Sequence, residues 1–162
     1  MQIKELSVDI ETYCDVDLRK TGVYRYAEDE SFEILLLAVS INNAPVIVYD
    51  LTKDKLPNLI LQALIDDTVI KWAFNATFER ICLSNWIKKH YPTLLNENFL
   101  SPKSWRCSMI WSAYLGLPLS LEGVGTILKL REQKLKVGSE LIRYFCLPCK
   151  PTKINGGRTR NY

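Results

Sequence analysis

Two carboxylates stand two residues apart near the amino terminus, in Ser7-Val8-Asp9-Ile10-Glu11-Thr12. Side chains alternate between the faces of a strand, so Asp9 and Glu11 share one face while Val8 and Ile10 take the other. Adjacent like charges repel, a cation relieves that repulsion, and oxygen ligands of this kind suit Mg²⁺ or Mn²⁺. Taken alone, the pair is either a metal-holding site or the solvated end of a strand with no chemistry. A partner from the second half of the chain must be a glutamate. No aspartate follows Asp67, and the later acids are Glu79, Glu97, Glu122, Glu132 and Glu140. Glu79 is placed best, because Asn75 is expected to end a strand and cap the following helix, which puts Glu79 in its first turn. A first-turn glutamate also complements the helix dipole, so a purely structural reading stands beside the chemical one.

The elements that must position these residues follow from patterning. Residues 3–11 read as a first strand. Residues 12–31 read as a long polar loop, which in a compact domain is usually functional and here would wall a substrate cleft. Residues 33–41 are almost continuously apolar, as in a strand covered on both faces. Asn42-Asn43-Ala44 is a tight turn, and residues 45–49 form a third strand that completes an antiparallel meander. A helix is expected over 56–65 and a fourth strand over 69–74, an order that implies a parallel crossover. The next helix covers about 76–90, with Phe78, Ile81, Cys82 and Trp86 inward and Pro92 beyond its end. Helices are also expected over 105–115, over about 120–130 (Ser120 as N-cap; Leu121, Val124, Ile127 and Leu128 inward) and over 139–145. The fold class is therefore α/β, a mixed sheet flanked by helices. Residues 1–147 form the domain, and 148–162 a mobile basic loop or tail.

The chain has 162 residues and 48% hydrophobic content, enough for one domain with a real core. No run of 18 apolar residues occurs and acids arrive too early for a signal peptide, so a cytoplasmic protein with no membrane partner is expected. Five cysteines and a normal core argue against a disulfide scaffold. Cys146-Leu-Pro-Cys149 has redox spacing but follows a helix instead of opening one, and no second such pair completes a zinc site. The net charge of +3 hides an asymmetry. Residues 1–67 carry 13 acids against 6 bases, and residues 68–162 carry 5 acids against 15 bases. An acidic half that holds metal beside a basic half suits a nucleic-acid enzyme, though an ordinary solvated surface has the same charges.

Asp9-Ile10-Glu11-Thr12 resembles the first motif of the DEDD 3′-5′ exonucleases, and Asn75-Ala76-Thr77-Phe78-Glu79 resembles their second. The blocks Leu18 to Ala27, Trp105 to Met109, Gly116 to Gly125 and Cys149 to Arg160 are similar to the proofreading exonuclease domain of bacteriophage family A DNA polymerases. The resemblance covers nearly the whole chain. It implies a ribonuclease H-like fold, with a mixed five-stranded sheet flanked by helices, of which patterning supplies four strands. It also implies a site for two Mg²⁺ or Mn²⁺ ions. Asp9 would bridge the ions, Glu11 would bind one and contact the terminal 3′-hydroxyl, and Glu79 would help hold the second. Thr12 and Asn75 would position the last nucleotide. Tyr13, Tyr24 and Tyr26 would stack on bases or pack the loop, and Arg158 and Arg160 would touch phosphate or sit in solvent. The implied substrate is the 3′ end of single-stranded DNA, with a polymerase domain downstream or in trans.

Two departures qualify the likeness. The second-motif acid is usually aspartate and here is Glu79, one methylene longer. The third motif, Tyr-x-x-x-Asp or His-x-x-x-x-Asp on a late helix, is absent, and Tyr144 is followed four residues later by Pro148. A truncated domain with weak or no activity is expected. The alternatives are a non-catalytic nucleic-acid-binding or polymerase-accessory module of the same fold, and an RNA-directed exonuclease.

Overall fold

The computed structural model describes residues 2–131, 135 and 137–162; Glu132, counted above among the late acids, lies outside them. Five strands form one sheet in the order β3-β2-β1-β4-β5. They are β1 (Glu5–Tyr13), β2 (Glu33–Ile41), β3 (Ile47–Asp50), β4 (Ile70–Ala73) and β5 (Trp105–Cys107). β1, the strand that carries the acid pair, is central. It runs antiparallel to β2, which in turn pairs antiparallel with β3. On its other edge β1 lies parallel to β4, and β4 lies parallel to β5. The meander and the parallel crossover expected from patterning are therefore both present. Asn42 and Asn43 make the hairpin turn with φ of 49° and 60°. Asparagine tolerates that left-handed region better than most residues.

The helices are α1 (Leu18–Glu28), α2 (Asn58–Ile65), α3 (Ala76–His90), α4 (Ser108–Tyr114), α5 (Leu121–Ile127) and α6 (Gly138–Phe145). Alternation sends Leu6, Val8 and Ile10 of β1 into the core with Ile34, Leu37 and Val39 of β2. α3 brings Ile81, Cys82, Leu83 and Ile87 to the same cluster, and α2 brings Ile60, Leu61 and Leu64. Each such fully buried aliphatic side chain stabilises by roughly 1.5–3 kcal/mol, an upper estimate. Inside this core Ser84 Oγ donates to the Arg80 carbonyl at 2.6 Å and accepts the Leu100 N–H at 2.9 Å. That pairing fixes the loop that leads into β5.

Three expectations need correction. Residues 12–31 are not all loop, because Leu18–Glu28 is helical, kinked at Gly22 (φ 74°) and capped by Asp17, whose carboxylate accepts the Arg19 N–H at 2.9 Å. Only Tyr26 and Ala27 of this helix are buried, so no apolar stripe announces it. Residues 105–107 are the fifth strand, and the helix begins only at Ser108; three residues are too few for a period of two to register. In α5, Ser120 does cap, accepting the Gly123 N–H at 3.1 Å, but of the four residues expected inward only Val124 is buried. Leu121, Ile127 and Leu128 are exposed.

Candidate active site

The second face of β1 carries Ser7 and Asp9, both exposed, and Glu11, half-buried. Asp9 lies opposite Ala38 of β2 and Glu11 opposite Leu36. The register then slips, so that Thr12 faces Ile34 and Leu35 is the extra residue of a bulge. Bulges bend a strand and re-aim its side chains, and they concentrate beside active sites. Two clefts open over this face, both lined by Asp9 and by Leu121 of α5. One, of about 680 Å³, runs toward Ser7, Trp72 and Ser108. The other, of about 1080 Å³, runs toward Glu11, Leu141, Phe145 and Cys146.

Glu79 reaches the site through β4. Ser7 is in register with Trp72 of the parallel neighbour, and the chain leaves that strand through Phe74 and Asn75 into α3. The expected Asn75 side-chain cap does not form. Asn75 adopts φ 74°, ψ 51°, and its carbonyl accepts the Phe78 N–H at 2.8 Å. Its value at this position is therefore conformational, since a left-handed residue turns the strand sharply into the helix. Asn75 itself remains exposed.

Glu79 is 4% exposed, and its Oε2 has no hydrogen-bond partner. Burial pushes its carboxyl up to about 8; its own backbone N–H offsets this in part, and the charges of Asp9 and Cys107 add to the rise. A buried carboxylate oxygen without a partner is costly, and a cation is one of the few things that satisfies it. That orphaned oxygen, within electrostatic reach of Asp9, fits a divalent ion. Among the described residues, however, no three His, Cys, Asp or Glu side chains are gathered closely enough to enclose one ion. Glu11 instead faces Cys146, whose Sγ donates to Glu11 Oε2 at 3.5 Å. Burial and the Glu11 charge push the Cys146 thiol up to about 12.

Thr12 is buried, and its Oγ1 bonds to the Tyr26 hydroxyl at 2.9 Å. Tyr13 and Tyr26 are buried as well, so for these two the packing alternative holds. Tyr24 is 49% exposed and meets Phe99 edge-on at 5.4 Å.

Cys107 escapes sequence reading. It ends β5 at the joint between α3 and α4, close enough to Glu79 for their charges to interact. Burial raises its thiol, but the backbone N–H groups of Ala76, Ile110, Asn75 and Met109 outweigh burial and leave it lowered. Only the tertiary meeting of two helix starts creates this environment. All five cysteines are free thiols, and Cys14, Cys82 and Cys146 are shifted upward. At about pH 7.5, iodoacetamide should therefore modify Cys107 before those three, since the thiolate is the nucleophile. Peptide mass spectrometry over a time course reads the order. Labelling of Cys107 after Cys146 would contradict the converging N–H groups.

No protein-family model matches the chain. The chain is 49% identical over 160 residues to a DNA polymerase of Bacillus phage SP02. The match takes in 98% of this chain and 23% of that polymerase, so the chain spans about a quarter of its relative's length. Among solved structures, Brucella melitensis NrnC with bound Mg²⁺ superposes with a TM-score of 0.55 at 16% identity, over 83% of this chain and 57% of that one. Trypanosoma brucei RNase D in complex with RNA U12 gives 0.52 at 14% identity, over 86% and 44%. The mixed five-stranded sheet is thus the ribonuclease H-like fold, shared with these two structures. No helix among the described residues is long and apolar enough to cross a membrane.

Proposed function

We propose that the chain is a 3′-5′ exonuclease domain, of the proofreading kind, belonging to a phage-type DNA polymerase. It would remove nucleoside 5′-monophosphates from the 3′ end of single-stranded DNA in the host cytoplasm. Its polymerase partner would lie on the same chain or act in trans. The observation that carries this reading is the partnerless Oε2 of buried Glu79, within electrostatic reach of Asp9.

Asp9, exposed on the central strand, would hold Mg²⁺ or Mn²⁺ together with Glu11 and Glu79. When bound, such ions supply a nucleophile at neutral pH and stabilise charge on the attacking and leaving oxygens. Glu79 must give up its proton to become a ligand, and Glu11 must exchange its Cys146 contact for the terminal 3′-hydroxyl. Thr12, locked to Tyr26, holds the backbone at the strand end where the last nucleotide would lie, and exposed Asn75 flanks it. No aspartate follows Asp67 to orient the attacking water, so turnover by these 162 residues alone should be weak or nil.

The test is Mn²⁺ calorimetry alongside degradation of 3′-labelled single-stranded DNA. Binding should vanish in Asp9→Ala, whereas unchanged binding would remove the site assignment. Degradation as fast as that of a complete exonuclease domain would refute the missing-carboxylate argument. A second reading, a non-catalytic nucleic-acid-binding module, draws on the absence of three gathered ligands among the described residues. It predicts DNA binding with no Asp9-dependent metal uptake.

A further inference from the structure

Residues 148–162, expected as a mobile basic loop or tail, include a loop tied together by hydrogen bonds. Asn155 Oδ1 accepts the N–H groups of Thr152 (2.8 Å) and Gly157 (3.2 Å). Its Nδ2 donates to the carbonyls of Lys150 (3.1 Å) and Arg158 (3.2 Å) and to Cys149 Sγ (3.6 Å). The Cys149 N–H donates to the Thr159 carbonyl at 2.5 Å and closes the neck. Gly156 and Gly157 turn the tip with φ of 69° and 76°, a conformation that favours glycine. One amide side chain thus satisfies backbone groups on both limbs.

Both ends of the segment are pinned at the end of the strand that carries the acids. Before the loop, Cys146 Sγ donates to Glu11. After it, Arg160 pairs with Glu33 at 2.9 Å, and its guanidinium lies 4.2 Å from the centre of the Tyr13 ring. Cys149 lies three Cα–Cα steps beyond Cys146, a reach of about 10 Å at full extension. The loop therefore starts within that distance of the residue touching Glu11.

The cations divide by use. Arg160, partly buried, is the latch. Lys150, Lys153 and Arg158 are exposed on the loop, and no acid occurs anywhere after Glu140. Ile154 between them is fully exposed. A tail that only kept the protein soluble would have no need of the Asn155 tie or the Arg160 latch. A surface that must hold cations at set positions against a polyanion needs both.

We propose that residues 149–158 are a grip for the sugar–phosphate backbone of the single strand whose end enters the Asp9–Glu11 site. Lys150, Lys153 and Arg158 contact phosphates, and Arg160 is a positioning residue that fixes the loop to β1. This rests on the nucleic-acid reading above.

Fluorescence anisotropy of a labelled single-stranded DNA oligonucleotide, with chelator present to prevent hydrolysis, tests it on the full chain. The triple variant Lys150→Ala/Lys153→Ala/Arg158→Ala should weaken binding on the order of tenfold or more. It should also flatten the slope of log affinity against log salt by about 2, since each single-strand phosphate contact contributes about 0.7. Asn155→Ala, which keeps every charge but unties the loop, should weaken binding severalfold. Lys20→Ala/Lys55→Ala/Lys103→Ala, an equal loss of exposed charge elsewhere, should change little. Equal weakening by the two triple variants, or full affinity in Asn155→Ala, overturns the grip while leaving DNA binding intact. If the unaltered chain binds no single-stranded DNA, the functional reading falls, and the grip with it.

Discussion

Replacing Glu79 by glutamine should stabilise the metal-free protein at alkaline pH, although it deletes a proposed ligand. Burial is the main cause that pushes this carboxyl up to about 8, with the charge of Asp9 adding to it. In the unfolded chain it titrates near 4.5. Between those values the folded state holds a proton that the unfolded state has released. Stability contributed by the protonated form is therefore full below about pH 4.5 and is lost as pH rises through about 8. Each unit of displacement corresponds to about 1.4 kcal/mol, so the full displacement amounts to several kcal/mol at most. A glutamine side chain at this position would keep the shape and carry no charge. In chelator above pH 8 the Glu79→Gln variant should melt higher than the parent. Even about 2 kcal/mol of this would move Tm by about 4–8 °C. Below about pH 4.5 the two melting curves should coincide. A variant that melts at or below the parent at pH 9 would show that Glu79 has a partner in solution and would remove the main reason for placing a cation there.

Metal addition should reverse the same penalty and release the same proton. At pH 7 most molecules carry a protonated Glu79, since it titrates near 8. Mn²⁺ binding should then expel about one proton per site, because a carboxylate must ionise to ligate. At pH 9 it should expel almost none. Calorimetry in two buffers of different ionisation enthalpy measures this number directly. At a hundredfold excess over Kd the ion should add about 2.7 kcal/mol of stability, and the gain should be lost on chelation. In Glu79→Gln proton release should disappear even if Asp9 and Glu11 still bind. Proton release that persists unchanged in that variant would assign the titration to another group and detach Glu79 from the metal.

How much of this was legible beforehand depends on the range of each signal. The strand bearing Asp9 and Glu11 could be read because alternation is a local property: Val8 and Ile10 must be buried together, so the acids must share the other face. The apolar run of β2, the Asn42-Asn43 turn and the stripe of α3 are likewise written into neighbouring residues. α1 escapes patterning because only two of its residues are buried, and β5 because three residues carry no period. The sequence also determined that no aspartate follows Asp67 within these 162 residues.

Only the tertiary structure decided what each polar group faces. Parallel pairing of β4 with β1 brought Glu79 within electrostatic reach of Asp9, and its buried Oε2 has no hydrogen-bond partner. Two helix starts converged on Cys107. Folding of residues 146–162 onto β1 gave Glu11 a thiol neighbour and separated two arginines that looked alike in sequence. Arg160 became a latch on Glu33 and Tyr13, and Arg158 stayed exposed on a loop tied by Asn155. Residue type and spacing specify which groups exist and which face of an element they take. Burial, pairing and electrostatic neighbours belong to contacts between residues far apart in the chain, and those contacts exist only once the sheet order is set.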